Sequence, residues 1–335
     1  FYQPPRENPW LEELEVQDSA YPYHDWNERI TSECYARNAA ARILDDQNRI
    51  MRITNNYARM SFNIGPTLMA WMAQHHPGIY AAIQAADQLS RKHFSGHGSA
   101  IAQPYNHMIL PLANRADRIT QIAWGIADFR HRFGRSPQGM WLPEAAVDLE
   151  TLAVMAEQGI TFTILSPQQA ERIRPVGTSD WHDVSDGSMD PRRAYLQHLD
   201  GGRRMAIFFY DGLISREVAF DGLLNSGEAL ADRLLSVFDH ANDEDQIVHI
   251  ATDGETFGHH HRFGDMALAY ALEEIDTGDA ARLTNYAQWL ASHPPAWEVK
   301  IKENSAWSCS HGVERWKSDC GCHSGQRPRW HQKWR

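Results

Sequence analysis

Two segments of this 335-residue chain, Gly139-Met140-Trp141-Leu142-Pro143-Glu144 and Ile250-Ala251-Thr252-Asp253-Gly254-Glu255, run from apolar, strand-like residues straight into an acid. A carboxylate at the carboxyl end of a buried strand is where α/β barrels present their chemistry. Two such acids, far apart in sequence but able to meet at one barrel mouth, make a candidate catalytic pair. Such a pair is the minimum equipment for cleaving a glycosidic bond.

The pattern around these segments is that of an α/β protein. Residues 27–57 read as a long helix, 59–64 as a short strand, and 65–72 and 79–94 as helices. Residues 97–103 read as a strand, 114–133 as a helix, 139–143 as a strand, 149–158 as a helix and 161–165 as a strand. A polar stretch at 166–204 interrupts the series, as a surface ornament or a lid, with a hairpin expected near 195–207 turning at Asp200-Gly201-Gly202. The pattern then resumes with a strand at 206–210, a helix at 227–240, a strand at 246–252 and helices at 265–276 and 282–292. Short apolar runs alternating with helices predict a parallel sheet built by right-handed crossovers. Beyond 292 the chain reads as irregular and rich in Trp, Cys and His.

Composition narrows the partners. Lys and Arg number 32 against 43 acidic residues, a net charge of −11. No basic patch of useful length occurs, so nucleic acid and anionic membrane are poor partners. No apolar run of about 18 residues occurs either, so no membrane span is expected. Twelve Trp residues fit a carbohydrate binder, since indoles stack on the apolar faces of sugar rings, although core packing accounts for most of them. Trp141 and Trp307 are the two that lie inside motifs.

The four cysteines are Cys34, Cys309, Cys320 and Cys322, which is no secreted disulfide framework and makes a cytoplasmic setting the default. Cys309, His311, Cys320 and Cys322 offer four ligands for a structural zinc. The C-x-C spacing departs from the usual knuckles, so the metal-free reading is preferred and no cofactor is expected. The abrupt start at Phe1-Tyr2-Gln3-Pro4-Pro5 and the end at Trp334-Arg335 read as those of a cut fragment.

Residue by residue, alternatives stay open. Glu144 is either a catalytic acid or the acid that opens the next helix. Spacing does not decide whether Asp253 or Glu255 points into the mouth. His259, His260 and His261 raise a metal-site rival, but adjacent histidines cannot all face one ion. Gln103-Pro104-Tyr105-Asn106-His107 suits hydrogen bonding to sugar hydroxyls, or simply caps a loop, and Asp211 is a strand-end acid or a turn residue.

Taken together, these motifs resemble glycoside hydrolase family 57, in the branch of amylase-like proteins that carry an additional uncharacterised C-terminal domain. Phe1-Tyr2-Gln3-Pro4 resembles the remainder of the family's first motif, and Gly96 to Leu110, with Pro104-Tyr105-Asn106-His107, the second. Trp141-Leu142-Pro143-Glu144 is similar to the third, Thr252 to His259 to the fourth, and Glu303-Asn304-Ser305-Ala306-Trp307 to the fifth.

The resemblance implies a distorted, incomplete (β/α)7 barrel over residues 1–280, with the polar excursion at 166–204. A helical and Trp/Cys/His-rich segment, 281–335, would complete the active site. It implies a retaining double displacement on α-linked glucans or maltooligosaccharides, with Glu144 as nucleophile and Asp253 as general acid/base. Gln3, His107, Trp141, Asp211, Phe257, His259 and Trp307 would contact substrate. Asp253 must start protonated, so surroundings less polar than those of Glu144 are expected for it, with Trp141 and Phe257 as walls. Competing outcomes are a 4-α-glucanotransferase or branching enzyme, a metal-dependent carbohydrate hydrolase or deacetylase, and a non-catalytic glucan-binding module.

Overall fold

In a computed structural model the described residues are 1, 7–8 and 10–322. They divide into two compact units, one gathering Phe1–Ile101, Arg132–Gly134 and Gly212–Ala291, the second Ala102–His131, Arg135–Asp211 and the chain from Ser292 on. Gln3, expected to contact substrate, lies with its neighbours Tyr2 and Pro4 outside the described residues. Among the described residues no helix is long and apolar enough to cross a membrane.

The first unit is mostly helical. Its opening helix begins at Trp26, capped by the Asp25 carboxylate, which accepts from the Asn27 and Glu28 amides. It passes through a π-type turn at Thr31–Tyr35 and ends at Ala39. The helix expected over 27–57 therefore stops early, and strands β1 (Ala41–Leu44) and β2 (Ile50–Thr54) follow as an antiparallel hairpin. The turn between them explains the difference. The Asp45 carboxylate accepts from the Gln47 and Arg49 amides, and Asn48 takes a left-handed φ of 58°. Side-chain bonding of this kind competes with helix.

The apolar core of this unit lies between the helices Gly227–Leu235 and Gly264–Thr277, where Leu230, Leu268, Leu272 and Ile275 pack with Ile214 and Val218. Residues 246–252, expected as a strand, carry no regular strand, and Ala251 instead donates its amide to the Ser215 hydroxyl (3.1 Å).

The second unit holds a six-stranded sheet. Its members in chain order are β3 (Phe162–Leu165), β4 (Ala170–Pro175), β5 (His182–Asp183), β6 (Ala194–His198), β7 (Arg204–Phe209) and β8 (Trp297–Ile301). Their spatial order is β3-β7-β6-β8-β4-β5. β3 pairs parallel with β7, Phe162 opposite Ala206, and single parallel bridges extend this side of the sheet from Phe162 to Gly139 and from Met140 to Ala102. The helices Arg115–Phe133 and Leu149–Glu157 fall between these parallel elements, which is the expected βαβ alternation.

Two departures matter. The 166–204 excursion is neither ornament nor lid, since it contributes β4, β5 and β6 to the sheet, with the hairpin turning at 200–202 as expected. β8, in the stretch read as irregular, inserts between β6 and β4, parallel to the first and antiparallel to the second. Its five residues alternate apolar and polar, Trp297-Glu298-Val299-Lys300-Ile301, and Glu298 is buried with Arg174 (2.6 Å) and His198 (3.0 Å) paired to it.

The Arg115–Phe133 helix also anchors the His107 loop. Gln121 accepts from the Tyr105 amide through its backbone and from the Asn106 amide through its side chain. Gly125 permits this approach, because a Cβ there would sit 2.0 Å from the Gln103 carbonyl oxygen. Gly125→Ala is expected to lower stability by about 1–3 kcal/mol in urea unfolding. Gly78→Ala, where an added Cβ meets nothing within 4 Å, should be neutral or slightly stabilising.

Candidate active site

Glu144 sits on a turn that the backbone does not favour. The Pro143–Ala145 turn places Glu144 at φ 56°, ψ 19° and Ala145 at φ 47°. For residues bearing a Cβ, the left-handed region costs roughly 1–2 kcal/mol each, and such conformations persist only where their surroundings over-determine them. Here the constraint comes from the 302–309 segment. The Trp307 amide donates to the Glu144 carbonyl (3.1 Å) and the Val147 amide to the Ser305 carbonyl (3.0 Å). Gln169 donates to the Ala145 carbonyl (2.8 Å) and to the Ser305 hydroxyl (3.1 Å). The Glu303 carboxylate accepts from the Leu149 amide at the start of the next helix.

The Glu144 carboxylate is only partly exposed. One oxygen faces His107 Nε2 at 3.6 Å and the other accepts from the Trp307 indole N–H at 3.3 Å. His107, then Ser308 and Trp307, hold the carboxyl below its ordinary value against the burial that pushes it up. The Trp307 ring is met edge-to-face by Trp141 (centroids 4.9 Å apart) and by Tyr210 (6.2 Å). Trp307 therefore stands beside an ionised carboxylate, with Trp141 and Tyr210 packed against its ring.

The first unit holds the second acidic motif. The Asp253 carbonyl opens the short Gly254–Thr256 turn by accepting from the Thr256 amide (3.0 Å). Gly254 is required, since a Cβ there would lie 2.1 Å from the Phe1 ring. So is Gly258, whose φ of +131° and close approach to the Glu33 carbonyl exclude a side chain. Behind the turn, buried Asn38 donates to the Phe257 carbonyl (2.8 Å) and Asn56 donates to the Asn38 side chain (3.0 Å). The Tyr35 hydroxyl donates to Glu255 (2.7 Å), so Glu255 is engaged inward while Asp253 is exposed.

The surroundings expected for Asp253 are therefore not those found: Glu144 is the more enclosed of the two acids. The reason is local, because Phe257, expected as a wall, packs into the helical core with Leu230 and Leu268.

Of the three consecutive histidines, His259 and His260 have ring centroids 4.9 Å apart, while His261 turns elsewhere. His259 Nδ1 pairs with Glu33 at 2.5 Å and its ring meets the edge of Trp26, while His261 Nε2 lies 2.8 Å from the Ala219 carbonyl. Burial pushes the Glu33 carboxyl up, but His259 and Arg29 together bring it below its ordinary value. Asp211 ends the Arg135–Asp211 segment of the second unit, two residues past the end of β7. Cys309, His311, Cys320 and Cys322 come together in that same unit.

The sequence reading missed Ser308, Gln169, Tyr35 and Glu33. Ser308 abuts Trp307 and could have been found from the motif. The other three act across large sequence separations and leave no local signal.

The chain is of the mixed α/β, TIM-like barrel class. It superposes on the 4-alpha-glucanotransferase of Thermococcus litoralis with a TM-score of 0.65 at 14% identity, covering 96% of this chain and 43% of that one. On a branching enzyme of Thermococcus kodakaraensis the TM-score is 0.60 at 16% identity, covering 88% and 72%. In sequence, the chain is 20% identical over 274 residues to an alpha-amylase of Pyrococcus abyssi, covering 77% of this chain, and spans 37% of that relative's length. The family model of glycosyl hydrolase family 57 matches residues 2–302, and the chain belongs to that family.

The strain at Glu144 has a measurable signature. Glu144→Gly and Glu144→Ala both remove the carboxylate, but only glycine relieves the left-handed φ. The Gly variant is expected to be more stable than the Ala variant by about 1 kcal/mol in denaturant unfolding, the reverse of the usual order. Equal stabilities would show that the turn is relaxed.

Proposed function

We propose that this chain carries the catalytic centre of a retaining enzyme acting on α-linked glucans. Glu144 is the nucleophile and Asp253 the general acid/base. The observation that supports this most is the state of Glu144, an ionised carboxylate on a strained, clamped turn, bonded to Trp307, whose ring packs with Trp141 and Tyr210. In the first step Glu144 attacks the anomeric carbon while Asp253 gives a proton to the leaving oxygen, leaving a glycosyl ester. In the second, Asp253 takes a proton from the incoming hydroxyl as the ester bond breaks. Such chemistry requires carboxyl groups about 5–5.5 Å apart. His107, Asp211, His259 and Gln3 are proposed to bind sugar hydroxyls, and Trp307 to stack on a ring.

The named relatives support an α-glucan substrate class, and they also support a second outcome of the same mechanism. An alpha-amylase and a 4-alpha-glucanotransferase differ in whether water or a sugar hydroxyl takes the glycosyl group. Incubation with maltooligosaccharides separates them: shortened products mean hydrolysis, redistributed lengths mean transfer, and an unchanged mixture removes both. Four cysteines standing as thiols suit a reducing, cytoplasmic setting.

Two further outcomes are expected. Glu144→Gly should lose turnover, and azide should restore reaction of an activated glucosyl fluoride, yielding a glycosyl azide of inverted configuration. Wild-type turnover in this variant removes Glu144 as nucleophile. The second concerns pH. The form of Glu144 that attacks is the carboxylate, and its lowered pKa keeps that form present as pH falls. His107 is the largest cause of the lowering. His107→Ala is therefore expected to move the acid limb of the kcat/KM profile to higher pH. An unmoved limb would mean that His107 does not set the charge of Glu144.

A further inference from the structure

The chain just beyond the last strand residue, Ile301, engages Glu144, yet little of it belongs to regular structure. Between Ile301 and Cys322 the only helix is the one-turn Glu314–Lys317. This segment nevertheless delivers the Trp307 amide, the Trp307 indole and the Ser308 hydroxyl to Glu144. A loop of this kind needs something other than a ladder to hold it.

Four side chains at its end supply a candidate. Sγ of Cys309, Nδ1 of His311 and Sγ of Cys320 and Cys322 each offer one donor, and all four atoms lie within 4.8 Å of one another. Cys309 Sγ is 3.3 Å from Cys322 Sγ, 3.9 Å from Cys320 Sγ and 3.8 Å from His311 Nδ1, and His311 Nδ1 is 3.2 Å from Cys322 Sγ. Disulfide sulfurs stand about 2.05 Å apart, so these thiols are convergent but not bonded. A tetrahedral zinc with Zn–S near 2.3 Å and Zn–N near 2.0–2.1 Å sets its ligand atoms roughly 3.5–3.8 Å from one another. The observed spacings bracket that value.

Two backbone features shape the site for such a load. The His311 amide donates to Cys309 Sγ (3.3 Å), a bond that stabilises a thiolate. Gly312, at φ +60°, brings the loop onto the Asn304 carbonyl so closely that a Cβ would lie 2.1 Å from its oxygen. The sequence spacing argued against zinc because a C-x-C pair is short for a knuckle. The fold answers the objection by convergence: both thiols of the short Cys320-x-Cys322 pair meet the Cys309 thiol and the His311 imidazole within 4.8 Å.

We propose that Cys309, His311, Cys320 and Cys322 bind one structural zinc ion that pins the Trp307–Ser308 loop against the Glu144 turn. All four positions around the metal are taken by protein, so the ion has no open position for substrate. Binding displaces the thiol protons to solvent and needs no oxidant or reductant. The ion's effect on Glu144 rests on the active-site reading above; its presence does not.

The test uses the full chain, expressed under reducing conditions and measured by elemental analysis, thiol titration and cobalt substitution. The expected result is about one zinc per chain, thiols protected until a mercurial or strong chelator releases the metal, and the intense absorption of a tetrahedral thiolate site after cobalt exchange. Cys320→Ser and Cys322→Ser should lose most of the metal, while His311→Cys, which keeps four donors, should retain it in a folded chain. A folded wild-type chain that holds no zinc, reacts freely through its thiols and gives no cobalt spectrum overturns the proposal, as does a Cys309–Cys322 disulfide or bound iron. Zinc present without activity on glucans would sink the functional reading alone. Activity without zinc would sink this inference alone.

Discussion

Much of the second unit depends on a single backbone hydrogen bond, from the Trp307 amide to the Glu144 carbonyl. It closes a loop between the turn that follows one strand and the segment that follows another. With it come the indole, the Ser308 hydroxyl and the Ser305 carbonyl, each fixed by the same short stretch of chain. The left-handed Glu144 and Ala145 would relax without that stretch, and the carboxylate would lose two of the donors that keep it ionised. Strain at this turn and charge on its side chain are thus two results of one contact. Gln169 extends the constraint by bonding to both sides of it.

The Asp253 motif is built by different means. No ladder supports it, and buried amides do the work: Asn38 and Asn56 bond to each other and to the carbonyls of Phe257 and Asp265. Such buried bonds hold the turn because each bonded member, if displaced, leaves a desolvated partner. Gly254 and Gly258 allow the turn to lie flat against Phe1 and Glu33, where any other residue would collide. The consequence is an exposed acid on a fixed frame, next to a glutamate and a histidine whose partners draw them inward.

What could be read from the chain alone followed from how local each signal was. The helices over 115–133, 149–157 and 264–277, the strand at 162–165 and the hairpin turning at 200–202 carry their own periodicity and caps, and the sequence reading found them. Glu144, Trp141 and Trp307 were found because their motifs are contiguous. The hairpin at 41–54 was missed because the Ala- and Arg-rich run before it favours helix, and the Asp45 turn that ends it acts through side-chain bonds. The strand at 297–301 was missed because its alternation spans only five residues just after Pro294-Pro295, and the partners that pair with it, Arg174 and His198 among them, are distant in sequence. Phe257 was misread as a wall because a motif does not say which way its aromatic ring turns.

The position of β8 has a consequence in time. It lies between β6 and β4, both of which leave the ribosome about a hundred residues earlier. Until residue 301 emerges, those two strands have edges with no neighbour, and the Glu144 turn lacks the segment that holds it. Early-made strands must therefore wait, open-sided, for a late one, which slows folding and leaves them vulnerable to pairing with other chains. Assembly of the Glu144 turn therefore waits on a distant part of the chain: the turn is not held until residues 302–309 have been made.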